Sequence, residues 1–190
     1  MQSGVAGRMQ NVEFKFELRD AELARLICAR NDARHVGTFE QRDTYYRVGD
    51  GRLKKRETAG ESAEYIFYHR PNRARAKLSH FTIYSEQEAK ARFGERPLPV
   101  WLIVNKRREV WMWNGVRIHL DFVEQLGSFF EAEALVMPAR HVGECHRLLA
   151  EIKEAFAPAL GEAVAVGYSD MLAAEMESGL LKPSPENEIG

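Results

Sequence analysis

Five segments of this 190-residue chain set charged residues in phase at every second position, three of them with apolar residues between, and that period of two limits the fold more than any other feature. In Asn11-Val12-Glu13-Phe14-Lys15-Phe16, one face carries Asn11, Glu13 and Lys15, and the other Val12, Phe14 and Phe16. Lys54 and Arg56 are in phase in RLKKRE, as are Lys106 and Arg108 in VNKRRE. Glu131 and Glu133 share a face in SFFEAEAL, with Phe130, Ala132 and Ala134 opposite. VRIHLDFV sets Arg117, His119 and Asp121 against Val116, Ile118, Leu120 and Phe122. Each segment alone is an ordinary strand with one solvated face. Together they describe a sheet whose apolar side suits helices and whose other side gathers acids and bases, a combination that closes naturally around a polar lumen.

The remaining elements fit that outline. DAELARLICARN (20–31) reads as a short amphipathic helix capped by Asp20. Segments 38–48 and 52–58 form a hairpin across Gly-Asp-Gly, and 64–70 and 78–84 a second one. A Ser-capped helix over 85–93 covers an end or face of the sheet. Segments 100–113 and 116–123 are joined by Asn-Gly, which suits a type I′ turn, and 128–136 adds another strand. A long helix over about 139–156 and a short one over 168–176 complete an α+β chain of about eight strands. Short connections make the pairing antiparallel, so the expected fold is a closed or nearly closed antiparallel β-barrel with helices packed outside.

A hydrophobic fraction of 45% and a formal charge of −1 are those of a soluble domain, and any anion site must come from a local cluster of bases. Cys28 and Cys145 lack metal-ligand spacing and read as reduced thiols. With no apolar run of membrane-spanning length and no signal-peptide pattern, the expectation is a cytoplasmic protein without membrane contact. Residues 1–9 read as a leader, 10–176 as a single domain and 177–190 as a tail.

On the lumen side stand the bases Lys15, Lys54, Arg56, Arg70, Lys106, Arg108 and Arg117 and the acids Glu13, Asp121, Glu131 and Glu133, an excess of positive charge. Bases drawn from several strands hold a polyanion, and hard divalent ions take carboxylate and phosphate oxygens together. A bound triphosphate with Mg²⁺ or Mn²⁺ satisfies both sets. His119 beside Asp121 reads as a hydrogen-bonded structural residue, Trp101, Trp111 and Trp113 as packing at helix contacts, and Tyr45 and Tyr46 with Asp43 as either tunnel-mouth or packing residues. His69 is out of phase with Arg70 and faces outward. KLSHFTIY (77–84) carries no chemistry beyond a Lys77 contact.

These residues, with QRDTYY (41–46), LKKRE (53–57), YHRP (68–71), NKRR (105–108), RIHLDFVEQLGSFFEAE (117–133) and YSDML (168–172), resemble the CYTH family over about 11–172. The family is named for class IV adenylate cyclases and thiamine triphosphatases, and its fold is an antiparallel triphosphate tunnel. The resemblance implies Glu13, Glu131 and Glu133 as metal ligands, with Asp121 either touching a metal or orienting Arg117 or Lys106. It implies Lys15, Lys54, Arg56, Arg70, Lys106, Arg108 and Arg117 as phosphate holders, with Glu13, Lys15, Glu131 and Glu133 catalytic. Asn11 replaces the first Glu of the family's Glu-x-Glu-x-Lys opening, so it offers an amide oxygen without the charge that draws a metal in. The NxExK opening is shared by a branch that resembles class IV adenylate cyclases. The expected activity is therefore conversion of ATP to cyclic AMP and pyrophosphate. Hydrolysis of inorganic, thiamine or nucleoside triphosphate is the alternative, and non-catalytic binding of polyphosphate or nucleotide the next. In-phase carboxylates disfavour nucleic acid as a partner, and the chain is expected to be a monomer or homodimer.

Overall fold

Alternation becomes pleat along β1 (Met9–Leu18), whose Val12 and Phe14 are buried on one face while Asn11, Glu13 and Lys15 are buried on the other. The chain continues through α1 (Ala21–Arg30), β2 (Arg34–Tyr46), β3 (Arg52–Thr58), β4 (Glu64–His69), β5 (Lys77–Tyr84) and α2 (Glu86–Phe93). It then runs through β6 (Val100–Trp113), β7 (Val116–Val123), β8 (Gly127–Leu135), α3 (Val142–Phe156), β9 (Leu160–Ala163) and α4 (Tyr168–Glu177). The structure, a computed structural model, describes residues 7–69, 71–183 and 187. Part of the expected leader (1–6), Arg70 and part of the expected tail (184–186 and 188–190) therefore lie outside the described residues.

The strands order as β5-β4-β3-β2-β6-β7-β8-β1, and β1 also pairs with β5, which closes an eight-stranded antiparallel barrel. β9 adds to β1 beside Phe16 and Leu18. This ninth strand has no counterpart in the sequence reading, because four residues with one glycine show no alternation. The β6–β7 turn has positive φ at both Asn114 (49°) and Gly115 (73°), the backbone that a type I′ turn requires.

Outside the barrel, α1 and α3 bury the apolar sides of β1, β7 and β8. Phe14 and Phe130 stack at 6.0 Å, and Phe130 meets Phe156 of α3 at 4.7 Å. Asp20 caps α1 by accepting the Leu23 amide at 2.9 Å, and Ser85 with Glu88 forms a capping box at α2. α2 covers the outer side of the β4–β5 hairpin, where Phe93 meets Phe67 and Tyr84. Trp113 packs against Phe156, and Trp101 against the core beneath α4.

α4 lies differently. Tyr168 and Leu172 form a second core with Tyr45, Leu102, Val104, Val123 and Phe129, all in phase with the inward charges of their strands. This helix closes one end of the barrel with apolar side chains. The other end holds a cavity.

Candidate active site

A cavity of about 320 Å³ occupies the barrel interior, within the size range of small-molecule sites. Its described lining is close to charge balance, with six basic and five acidic side chains, which corrects the positive excess expected from sequence. Asp43 and Glu64 account for the added acid, and Arg70 is outside the described residues. What the site has instead of net charge is segregation.

Asp43, on β2 and fully buried, is the centre of the first group. It accepts Lys54 Nζ and Lys106 Nζ at 2.7 Å each and both Arg56 Nε and Nη2 at 2.8 Å. Strand register explains the convergence, since Asp43 lies opposite Arg56 on β3 and Lys106 lies opposite Gln41 on β6. Burial would raise the Asp43 pKa, but Arg56, Lys106 and Lys54 hold it well below the usual carboxylate range. Burial, with Arg56 adjacent, pulls Lys54 down to about 8 despite Asp43, and pulls Lys106 well below an ordinary lysine. Three cations on one carboxylate leave a local surplus of two positive charges when all are ionised.

The second group is paired. Arg108 on β6 makes a forked contact with Asp121 on β7, Nε to Oδ1 at 2.8 Å and Nη2 to Oδ2 at 2.6 Å, and also donates to Glu131 Oε2 at 2.8 Å. The Tyr168 hydroxyl donates to Asp121 Oδ2 at 2.7 Å, so α4 contributes to the lumen network. Asp121 thus orients Arg108, neither Arg117 nor Lys106, and its oxygens are engaged. Lys15 Nζ stands 3.6 Å from Glu131 Oε1 and 3.8 Å from the centre of the Tyr168 ring. Burial would raise Glu131, yet Lys15, with His119 and Arg108, holds it well below the usual range. His119 is buried with Nδ1 3.5 Å from Glu131 and Nε2 3.8 Å from Glu133; it faces these carboxylates across the strand, and its Nδ1 has no hydrogen-bond partner among the described residues, unlike the hydrogen-bonded residue expected beside Asp121.

The third group is the most acidic. Glu13 lies opposite Glu133 across the β1–β8 ladder. Asn11 Nδ2 donates to Glu133 Oε2 at 2.8 Å, while Asn11 Oδ1 is buried with no hydrogen-bond partner among the described residues. Arg117 approaches from the mouth, largely exposed, and donates to Glu133 Oε1 at 3.1 Å. Among the described residues no three His, Cys, Asp or Glu side chains are arranged to hold a metal ion. Two carboxylates and an unsatisfied amide oxygen are nevertheless a hard, all-oxygen donor set.

The structure therefore lines one cavity with Glu13, Lys15, Lys54, Arg56, Lys106, Arg108, Arg117, Glu131 and Glu133, all expected from sequence, and sets Asp121 directly behind Arg108. Sequence reasoning missed the central role of Asp43 and the Tyr168 hydroxyl. It also gave no function to Ile66, Tyr68, Phe81 and Ile83, which line the same cavity from β4 and β5. Lys77 is buried and donates to the Ala165 carbonyl at 2.7 Å, tying the segment before α4 to β5. His69 is exposed, as its phase required.

Solved structures share this architecture. The PH1012 protein from Pyrococcus horikoshii OT3 is 20% identical, aligned over 84% of this chain and 98% of its own, with a TM-score of 0.68. A conserved hypothetical protein from Pyrococcus furiosus is 21% identical over 84% and 98% of the two chains, with a TM-score of 0.65. A Vibrio parahaemolyticus protein named for adenylate cyclase is 14% identical over 86% and 97%, with a TM-score of 0.64. No curated protein sequence matches. The CYTH domain model matches residues 9–165, which run from the first residue of β1 to just past β9, and the chain belongs to the CYTH family.

Proposed function

We propose that the protein is a metal-dependent enzyme acting on a triphosphate held in the barrel, in the manner of class IV adenylate cyclases. The observation that carries this reading is the segregation of charge within one cavity: a cationic group around Asp43 and an acidic group at Glu13 and Glu133. Phosphate oxygens match the first group, because Arg56 offers a planar fork and Lys54 and Lys106 offer mobile ammonium donors. Lys15 and Arg108, held by Glu131 and Asp121, extend the donor set without further rearrangement.

Mg²⁺ or Mn²⁺ fits the acidic group. Glu13 and Glu133 would hold it with Asn11 Oδ1, whose lack of a partner in a buried setting is a cost that a cation would remove. A divalent ion bound there supplies Lewis-acid stabilisation of charge on phosphate oxygens. The chain's own residues supply the rest: neutralisation of the phosphate chain, alignment of the reacting oxygens and exclusion of water by the apolar plug of α4. Attack of a ribose 3′ oxygen on the α-phosphate gives cyclic AMP and pyrophosphate. Attack of water on the terminal phosphate, with the same bases in use, gives a triphosphatase.

The test is product analysis after incubation with Mg²⁺ or Mn²⁺ and, separately, ATP, inorganic triphosphate and thiamine triphosphate. Cyclic AMP with pyrophosphate identifies a cyclase, and orthophosphate a triphosphatase. Absence of product from all three refutes the catalytic reading in favour of a binding role.

A further inference from the structure

The β1–β5 ladder ends where Glu13 meets Lys77, so residues 73–76 leave the sheet while β1 runs on through Phe14 and Phe16 to pair with β9. On the outer side of β1, between residues 73–76 and α3, this divergence leaves a groove of about 820 Å³. Its floor is apolar, with Phe14 and Phe16 of β1, and its rim is basic, with Arg73 and Arg75 on one side and His146 and Lys153 of α3 on the other. No acidic side chain lines it among the described residues. The rim is also unpaired. Arg147, the next residue along α3 from His146, is bound to Glu151, yet Arg73, Arg75, His146 and Lys153 have no carboxylate partner among the described residues. Lys153 Nζ instead stands 5.4 Å from the centre of the half-buried Phe16 ring. Like charges gathered in one groove repel one another, a cost that an anion removes.

We propose that this groove is a second ligand site, outside the barrel, for a small organic phosphate whose phosphate lies on Arg73, Arg75 and Lys153 and whose apolar body lies on the floor at Phe16. Two guanidinium forks suit phosphate oxygens better than a single carboxylate, and Lys153 adds a point charge from the facing wall. A groove of this size admits far more than a bare phosphate ion, and its apolar floor gives the remainder of the ligand something to cover. Phe16 follows Lys15 in the strand and points to the opposite face, so one strand separates this site from the tunnel. The proposal therefore stands independently of the triphosphate reading.

Amide NMR of the full chain, titrated with naphthyl phosphate and, separately, with inorganic phosphate and naphthol, tests this directly. Naphthyl phosphate is expected to shift the amides of 73–76 and 146–153 and to bind there more tightly than either of the other two. Arg75→Ala should weaken that binding about tenfold, the scale of one lost hydrogen bond to a charged group, while any response at the tunnel residues Lys54 and Arg108 stays unchanged. Arg75 is exposed, so the fold should survive the change, and Lys153→Ala on the facing wall carries the same expectation if it does not. Shifts confined to the tunnel, affinity no greater than that of inorganic phosphate, or binding indifferent to both substitutions overturns the proposal. Displacement of naphthyl phosphate from the groove by a lower concentration of a Glu-rich peptide assigns the groove to a protein partner and overturns it as well.

Discussion

Replacing Asp43 by Asn removes the charge on which three buried cations converge while keeping the side chain's size. In the wild type, Oδ2 accepts Lys54, Lys106 and Arg56 Nη2, and Oδ1 accepts Arg56 Nε alone. An amide oxygen at the Oδ2 position keeps three of the four hydrogen bonds and turns an NH₂ donor toward Arg56 Nε. The main loss is therefore electrostatic. Breaking a buried ion pair on one side costs about 3–5 kcal/mol. Because Lys54 and Lys106 can shed protons, with Lys54 already near 8, the lower end is expected, about 3 kcal/mol. For a domain of this size that is a fall in Tm of roughly 6–12 °C. The same change raises the local surplus from two positive charges toward three, so inorganic triphosphate should stabilise the variant more than the wild type. Urea unfolding with and without the ligand measures both effects. A loss below about 1 kcal/mol, or a smaller ligand effect in the variant, would refute the view that Asp43 holds the bases ready for an anion.

Glu13→Gln is expected to abolish turnover with little loss of thermal stability, and Lys15→Ala to abolish turnover and also to lower stability, because it leaves the buried Glu131 carboxylate one cation short; full activity in both would remove the tunnel assignment. Burial and Arg56 depress the Lys54 pKa to about 8 from an ordinary 10.5, against the pull of Asp43, so its charge is lost as pH rises through that value. Affinity for inorganic triphosphate should therefore fall between pH 7 and 9.5, and this lysine's contribution to stability should grow from about pH 8 to 10.5, where only the unfolded chain takes up the proton. A flat binding profile over that range would contradict the assignment of Lys54 to the phosphates. Tyr168→Phe removes a 2.7 Å hydrogen bond to the buried Asp121 carboxylate and should cost about 1.5–3 kcal/mol in urea unfolding, while a neutral result would mean that water replaces the hydroxyl.

The strands most legible in the sequence are those whose two faces differ in chemistry. The expected bounds 52–58, 100–113 and 116–123 are those of β3, β6 and β7, and in β7, where apolar and charged residues alternate, the inward Asp121 follows directly from phase. β3 and β6 also carry charge on the other face, at Lys55 and Arg107, so phase alone pairs Lys54 with Arg56 and Lys106 with Arg108 without fixing which side is inward. Where the faces do not differ, phase cannot say which looks inward. In QRDTYY, Gln41, Asp43 and Tyr45 alternate with Arg42, Thr44 and Tyr46, polar and aromatic on both sides, so the central carboxylate of the site reads as a mouth or packing residue. In EYIFYH, Ile66 and Tyr68 alternate with Tyr65 and Phe67, apolar on both sides, and the lumen wall is concealed in the same way. Tyr168 lies beyond this kind of reading altogether, because its contact with Asp121 depends on where α4 meets the barrel rather than on any local period.

The segregation of charge bears on Asn11. A third carboxylate beside Glu13 and Glu133 would add a charge to a buried region where the Arg117 guanidinium is largely exposed and so weakly felt. Asn11 instead donates to Glu133 and keeps its own oxygen without a hydrogen-bond partner among the described residues, so it adds no charge to the acidic group and still offers one more ligand when a cation arrives. Lower charge on the site implies weaker metal affinity than a three-carboxylate set would have, with a cation retained more firmly once phosphate oxygens complete its shell. Metal and triphosphate should then bind with positive coupling, each raising the affinity of the other by the same factor. Mg²⁺ titrations with and without inorganic triphosphate read that factor, and equal Mg²⁺ affinity in both would place the cation away from the phosphates and detach Asn11, Glu13 and Glu133 from the chemistry.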